Sequence, residues 1–289
     1  MRITITGGSG LIGSRLVQRL QDRGDEVTVL SRSREPRWDP SEPAPADALA
    51  GRDAVVHLAG ENLAQRWSGD TKRRIMDSRE QGTRNLVASL RDAGVPTLVS
   101  ASAVGYYGAR GDEPVAEDAA PGDDFPARVC VAWEREARAA EAFGMRVVNV
   151  RTGVVLDSAG GALAKMLPPF KLGVGGPVAG GRQYMPWIHV DDVVGIYVAA
   201  LDGPDWRGAV NATAPAPVTN AEFSKALGRA LHRPAVLPVP GFALRLLYGE
   251  MSTIVTEGAN MVPARAKALG YAWRHPDLDE ALASALARP

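Results

Sequence analysis

A chain of 289 residues with 33 Lys plus Arg, 33 Asp plus Glu and 45% apolar residues is long enough to bury a substantial core as one large domain or two coupled ones, without disulfides or metal. Balanced charge gives no electrostatic reason to expect a nucleic-acid or membrane partner. The lone Cys130 cannot form an intramolecular disulfide and no Cys/His cluster has ligand spacing, so no metal is expected and a reducing compartment, the cytoplasm, is.

The chain runs straight into Arg2-Ile3-Thr4-Ile5-Thr6 without signal-peptide features, and no apolar run is long enough for a membrane span. Ile3 and Ile5 read as a buried strand. Leu11, Ile12, Leu16, Val17 and Leu20 follow at helical spacing, Gly24 ends that helix, and Val27 to Leu30 form the next strand. This is a strand-helix-strand unit of the kind that builds parallel sheets. Further strands are predicted at 54–58, 97–100 and 147–150, with helices over 70–93 and 127–143 between them. Residues 31–53, broken by Pro36, Pro40, Pro43 and Pro45, read as an extended surface loop. After Leu156 the Gly- and Pro-rich stretches suit loops arching over a site, and a helix returns at 190–201 with Asp191 or Asp192 as its N-cap. From Pro215 helices and short extended pieces alternate, ending in a polar helix after Pro276. The pattern predicts an α/β fold, doubly wound around a parallel sheet.

Thr6-Gly7-Gly8-Ser9-Gly10-Leu11-Ile12-Gly13 carries the strongest chemical signal, because it leaves a predicted strand and opens a predicted helix. Glycines at 7, 10 and 13 allow a tight turn, close approach of a pyrophosphate, and close helix packing, while the helix start offers free N–H groups. A glycine turn without a ligand is the competing reading. At the end of the second strand an acidic residue would select NAD; Ser31-Arg32-Ser33-Arg34 stands there instead, and a guanidinium pairs with a 2′-phosphate, so NADP is the expected cofactor. The alternative leaves Arg32 and Arg34 as solvated loop charges.

These motifs, with His57-Leu58-Ala59-Gly60, Ser100-Ala101-Ser102-Ala103-Val104-Gly105-Tyr106-Tyr107-Gly108 and Trp187-Ile188-His189-Val190-Asp191-Asp192, resemble the extended short-chain dehydrogenase/reductases. Within them the chain is similar to an atypical branch, the nucleoside-diphosphate-sugar epimerases that carry a C-terminal domain of unknown function. That domain's likeness lies in Leu237 to Phe242, Gly249-Glu250 and Pro276-Asp277-Leu278. The resemblance implies a Rossmann-like domain over 1–156, completed by 186–212, and a smaller discontinuous substrate lobe over 157–185 and 213–289. It also implies cofactor contacts from Gly7, Ser9, Gly10, Leu11, Ile12 and Gly13 at the pyrophosphate, Ser31 and Arg32 at the 2′-phosphate, and Leu58, Ala59 and Gly60 on the adenosine side. Ala101 and Arg79 complete the cofactor set, and Ser102 is placed at nicotinamide and substrate.

The pattern breaks where the family's Tyr and Lys should stand, at Pro126 and Cys130. Proline has no proton to give, and a thiol supplies no fixed positive charge. Ser102 remains, and Tyr106 or Tyr107 is a replacement acid only with a cation such as Lys165 or Arg79 close by; the competing role for the tyrosines is packing. Cys130 reads as a small buried filler. Met185 occupies the place of the arginine that clamps a sugar nucleotide's diphosphate, with Arg182 nearby. Arg79 replaces an asparagine and either meets the cofactor or tethers two helices. Glu61, Asn62, Arg66 and Trp67 line the rim or form a helix's buried side. Two functions follow: an NADP(H)-binding oxidoreductase or epimerase acting by hydride transfer on a small hydroxyl or carbonyl compound, a sugar nucleotide among the candidates, or a catalytically reduced NADPH sensor or scaffold. Either is a monomer or a homodimer.

Overall fold

The apolar runs of the first half pair side by side rather than as hairpins, because a helix returns the chain to the same edge of the sheet before each new strand. The computed structural model describes residues 1–287; residues 288 and 289, the end of the expected lobe, lie outside the described residues. In order come β1 (Arg2–Thr6), α1 (Leu11–Asp22), β2 (Glu26–Leu30), α2 (Ala46–Leu49), β3 (Ala54–His57), α3 (Gly69–Ala93), β4 (Thr97–Ala103), β5 (Gly111–Val115), α4 (Phe125–Arg138) and β6 (Arg146–Thr152). Then follow β7 (Val154–Leu156), α5 (Gly161–Lys171), β8 (Tyr184–Met185), β9 (Trp187–His189), α6 (Val190–Asp202), β10 (Gly208–Ala212), β11 (Val218–Thr219) and α7 (Asn220–Leu231). The chain closes with α8 (Gly241–Tyr248), α9 (Thr253–Thr256), β12 (Ala259–Met261), α10 (Ala264–Ala268) and α11 (Leu278–Ala287).

Six strands form one sheet in the order β10-β6-β4-β3-β1-β2. Every neighbour is parallel, with Ile3 opposite both Val27 and Ala54, and Leu98 opposite Val55 and Val147. Alternate side chains serve two faces. Ile3, Ile5, Val56, Val99 and Val148 pack with α1 and α6, whereas Leu30, Val55, Leu98 and Val147 pack with α3 and the end of α4. A third core gathers Leu163, Leu167 and Phe170 of α5 with Trp187, Phe223, Leu227 and Leu282.

Four expectations change. The proline-rich 31–53 stretch is only partly a surface loop: Trp38, Ala44, Ala48 and Leu49 are buried with Leu86, Val87 and Leu90, and α2 forms within it. Its main chain finds partners there, as when the Ala44 N–H donates to Ser89 Oγ at 2.9 Å. The Gly/Pro-rich middle contains α5, because Leu163, Leu167 and Phe170 supply a buried helical stripe despite Pro168 and Pro169. Helix α4 occupies 125–138 and tightens into a 3₁₀ turn over Ala139–Phe143; Asp124 caps its start and Pro126 sits in the first turn, where a missing N–H costs nothing. The N-cap of α6 is His189, not Asp191 or Asp192: its Nδ1 accepts from the Asp191 N–H at 3.2 Å. Among the described residues, no helix is long and apolar enough to cross a membrane.

Asp192 instead anchors the C-terminal segment to the sheet domain. The Tyr271 hydroxyl donates to the Asp192 main-chain carbonyl at 2.9 Å, and the Asp192 carboxylate accepts from the Arg274 N–H at 2.7 Å and the His275 N–H at 3.0 Å. The side chain is fully buried, so truncation strands those donors. Asp192→Ala is expected to cost about 3 kcal/mol in urea unfolding and to expose the 271–275 amides to hydrogen exchange. A loss under about 1 kcal/mol would show that the anchor is dispensable.

Candidate coenzyme site

The turn after β1 is tight because two glycines leave no alternative. Gly7 has φ +71°, and a Cβ there would lie 2.7 Å from the Leu58 carbonyl carbon; a Cβ on Gly13 would lie 2.3 Å from the Gly7 oxygen. Only hydrogen fits either place. The Gly10 N–H donates to the Gly7 carbonyl at 3.0 Å, and Gly10 begins α1 with no side-chain cap. The first-turn N–H groups of Leu11, Ile12 and Gly13 therefore face the carboxyl edge of the sheet, together with the helix's partial positive charge. A groove of about 600 Å³ opens there, lined by Ser9, Gly10, Leu11, Arg15, Gly160 and Gly161.

The neighbouring β3 turn is locked to this one through a fully buried histidine. Thr6 Oγ1 accepts the Leu58 and Ala59 N–H groups, both at 3.2 Å, so its own proton goes to His57 Nδ1 at 2.7 Å. His57 is then the tautomer whose Nε2–H donates to Thr83 Oγ1 at 3.0 Å. This fixes Leu58, Ala59 and Gly60 against the glycine turn.

At the end of β2, Ser31 is half-buried and Arg32 is exposed, without an ion pair among the described residues. Glu35, the next carboxylate along the chain, pairs with Arg37 at 3.3 Å. The edge offers a cation at Arg32, with the Asp39 carboxylate near enough to feel its charge.

The β4 end differs from expectation. Strand alternation turns Ser102 to the α4 side, 3% exposed, where its hydroxyl donates to Glu134 Oε1 at 2.7 Å; Ala101 and Ala103 are left half-buried. Glu134 holds Arg151 through two bonds, at 2.8 and 2.9 Å. Arg151 Nη1 donates to the Tyr107 hydroxyl at 2.7 Å, and that hydroxyl donates to Asn211 Oδ1 at 2.8 Å. Burial pushes the Tyr107 phenol up to about 12, against the pull of Arg151. Ser102 and Tyr107 are thus both members of a buried ion-pair network. The Tyr106 ring stacks on the Arg151 guanidinium, with Cζ 3.4 Å from the ring centre, and its hydroxyl bonds no described residue.

Cys130 is buried, and desolvation pushes its thiol up to about 12, the setting of a filler rather than a nucleophile. Lys165 donates to the Ala64 carbonyl at 3.4 Å on the surface, away from the Tyr107 network. Arg79 is buried against Gly60 and Trp133, not solvated. Trp67 and Ile75 are buried with Phe125 and Val129, so the rim stretch also serves as a core contact, while Arg66 reaches the Leu246 carbonyl at 3.3 Å. His189, Asp191 and His275 bring possible metal-ligand atoms within 4.8 Å, a grouping hidden in sequence because His275 is distant. The His189 and His275 rings meet at a centroid distance of 3.8 Å with their planes tilted by 43°. Sequence reasoning missed the Glu134–Arg151 pair; the charge of Arg151 at the end of an apolar strand was its one visible sign.

Residues 3–212 match the NAD dependent epimerase/dehydratase family, and residues 239–285 match a domain of unknown function, DUF1731. Epimerase family protein MT2273 of Mycobacterium tuberculosis is 44% identical over 297 residues, covering 99% of this chain and 98% of that protein. Epimerase family protein SDR39U1 of Homo sapiens is 39% identical over 292 residues, 98% of each. The crystal structure of human SDR39U1 (isoform2) with NADPH superposes with a TM-score of 0.87 at 35% identity over 100% of both chains.

His57 gives the site a pH signature. Burial drives its pKa down to about 3, from the ordinary 6.5. Between those values the unfolded chain binds a proton that the native imidazole refuses, so stability falls as pH drops from 6.5 toward 3. The loss is on the order of 4 kcal/mol. Urea unfolding at pH 7, 5 and 4 is expected to show it, with a shallower slope in His57→Gln. Equal slopes in both proteins would mean that the imidazole is not held neutral.

Proposed function

Since this chain belongs to the NAD dependent epimerase/dehydratase family, we propose that it is an NADP(H)-dependent oxidoreductase or epimerase-like enzyme acting on a small hydroxyl or carbonyl compound. Its sheet is the Rossmann-like fold. The observation that carries the reading is the close main-chain contact of Gly7 with Gly13, which sets the uncapped start of α1 at the sheet edge beside the groove lined by Ser9, Gly10 and Leu11. Ser9, Gly10, Leu11, Ile12 and Gly13 would hold the pyrophosphate there. Ser31 and the exposed Arg32 favour the 2′-phosphate form, in keeping with the NADPH in the human relative's crystal structure.

Bound in that crevice, the nicotinamide ring supplies or takes up hydride. The chain's own task is to orient the substrate and move one proton to or from its oxygen. Of the three hydroxyls expected at the site, Tyr106 alone bonds no described residue, and the Arg151 guanidinium lies under its ring. We assign the proton to Tyr106 Oη. Ser102, Glu134 and Tyr107 hold Arg151 in place. The substrate lies between the sheet edge and the lobe of 157–185 and 213–289. With Met185 buried where a diphosphate-clamping arginine is expected, that substrate is small rather than a sugar nucleotide. The buried Cys130 suits a reducing compartment, and we place the protein in the cytoplasm.

One observation favours a second reading. Pro126 and Cys130 replace the tyrosine and lysine of the family pattern, and Ser102 and Tyr107 are sequestered, so a protein that binds NADPH without turning it over, as a sensor or scaffold, would look the same. NADPH titration followed by a panel of small aldehydes and ketones separates them. Consumption that falls roughly 100-fold in Tyr106→Phe supports the enzyme; binding without consumption supports the sensor; no binding contradicts both. Arg32→Glu is expected to lower the ratio of NADPH to NADH affinity at least tenfold, by roughly the worth of one charge-assisted pair. An unchanged ratio would place recognition of the 2′-phosphate elsewhere.

A further inference from the structure

Balanced charge over the whole chain conceals a segregation. Residues 158–190 and 223–249 contain seven Lys and Arg and no Asp or Glu, while the chain as a whole is formally neutral. The fold lays parts of these two stretches side by side. The Val239 N–H donates to the Pro177 carbonyl at 2.8 Å and the Ala179 N–H to the Val239 carbonyl at 2.9 Å, while Arg233 Nε reaches the Lys171 carbonyl at 3.1 Å. Among the described residues Lys171, Lys225, Arg233 and Arg245 form no ion pair; Arg229 does, with Asp279 at 2.7 Å.

The same strip holds its apolar side chains out to solvent. Eleven large apolar side chains stand exposed among the described residues, and nine of them lie between 172 and 174 or between 236 and 254. Phe242 is 77% exposed and Leu246 76%, one turn apart on the same face of α8, a helix that buries none of its residues. An apolar surface of that extent marks a contact with something else. Beside it opens a groove of about 630 Å³, lined by Lys225, Arg229, His232, Arg233 and Val236. Val236 belongs to both features, so the cations and the apolar strip adjoin.

Charge and shape together select the occupant. A second copy of the chain would bring unpaired cations against their own kind. A bilayer surface engages what protrudes and leaves a recess unfilled, whereas a polypeptide segment reaches both. We propose that this face docks an acidic segment of another protein, its carboxylates entering the groove at Lys225 and Arg233 and its apolar side chains covering Val236, Phe242 and Leu246. A cluster of cations and a set of apolar anchors are the two means by which folded domains hold such segments. The surface adjoins the crevice rim without belonging to the coenzyme site: Arg66 donates to the Leu246 carbonyl at 3.3 Å, and Met251, just past α8, packs on the cluster of Trp67 and Ile75. A docked segment therefore rests on a wall that the rim shares.

Fluorescence anisotropy of the full chain tests it, with a short fluorescein-labelled peptide of repeating Glu and Leu as the probe and the same peptide with Lys in place of Glu as the control. The acidic peptide is expected to bind about tenfold more tightly than the basic one or better, and to weaken as salt is raised. Lys225→Glu combined with Arg233→Glu is expected to cost roughly tenfold in affinity. Phe242→Ser combined with Leu246→Ser, which leaves every cation in place, is expected to cost a similar factor. No binding of the acidic peptide, equal binding of the two peptides, or an affinity that neither pair of substitutions changes would overturn the proposal. So would a wild-type dimer in sedimentation that the Phe242 and Leu246 substitutions dissociate, which assigns the face to a second copy, or capture of phosphatidylglycerol vesicles without binding of the peptide, which assigns it to lipid.

Discussion

The contact that the rest depends on is between two pieces of main chain. Gly13, one turn into α1, sits against the Gly7 carbonyl with no room for a β-carbon, and Gly7 sits equally close to the chain leaving β3. These approaches bring the helix start down onto the sheet edge with its first N–H groups unclaimed by a cap. Everything polar around the crevice is arranged relative to that turn. Thr6 and His57 secure it from behind with a neutral imidazole relay, and in doing so place Leu58 to Gly60 beside it.

Behind β4 lies a second, independent polar unit. Glu134 and Arg151 are both nearly inaccessible, and their pair is further hydrogen-bonded by Ser102, Tyr107 and the Glu117 carbonyl at 3.0 Å. Replacing such a pair by apolar residues need not lower stability, whereas breaking it leaves a stranded charge. Its structural consequence is local: Arg151 fixes the ring of Tyr106 from one side and the hydroxyl of Tyr107 from another. Asn211 then carries the connection outward to the Val262 carbonyl at 3.0 Å, tying the β4 edge to the C-terminal segment. The same segment is tied again by Asp192, so it is linked to the sheet and its helices at two separated points.

Local signals in the sequence were enough for the sheet and the phosphate turn. A strand, three spaced glycines and an amphipathic helix are contiguous, and the period-2 and period-3.6 patterns that follow them are strong. Partners far apart in sequence were not legible. Asp192 reads as a helix cap until the chain from 271 to 275 folds back on it, and Ser102 reads as an open hydroxyl until strand alternation turns it toward Glu134, 32 residues away. Trp38 was hidden among prolines that mark a loop, because the burial that claims it comes from α3. Arg79 left two roles open in the sequence. Its depth and its neighbours Gly60 and Trp133 become visible only when α3 and α4 are packed together.

The central claim is that the backbone N–H groups at the start of α1 grip a dinucleotide's phosphates, and amide hydrogen exchange at residues 9–13 with and without NADPH tests it most directly. The account expects these amides to exchange quickly in the free protein and to gain at least tenfold protection when NADPH is added, as groups passing from water to phosphate should. Unchanged exchange at these positions under saturating NADPH would contradict it.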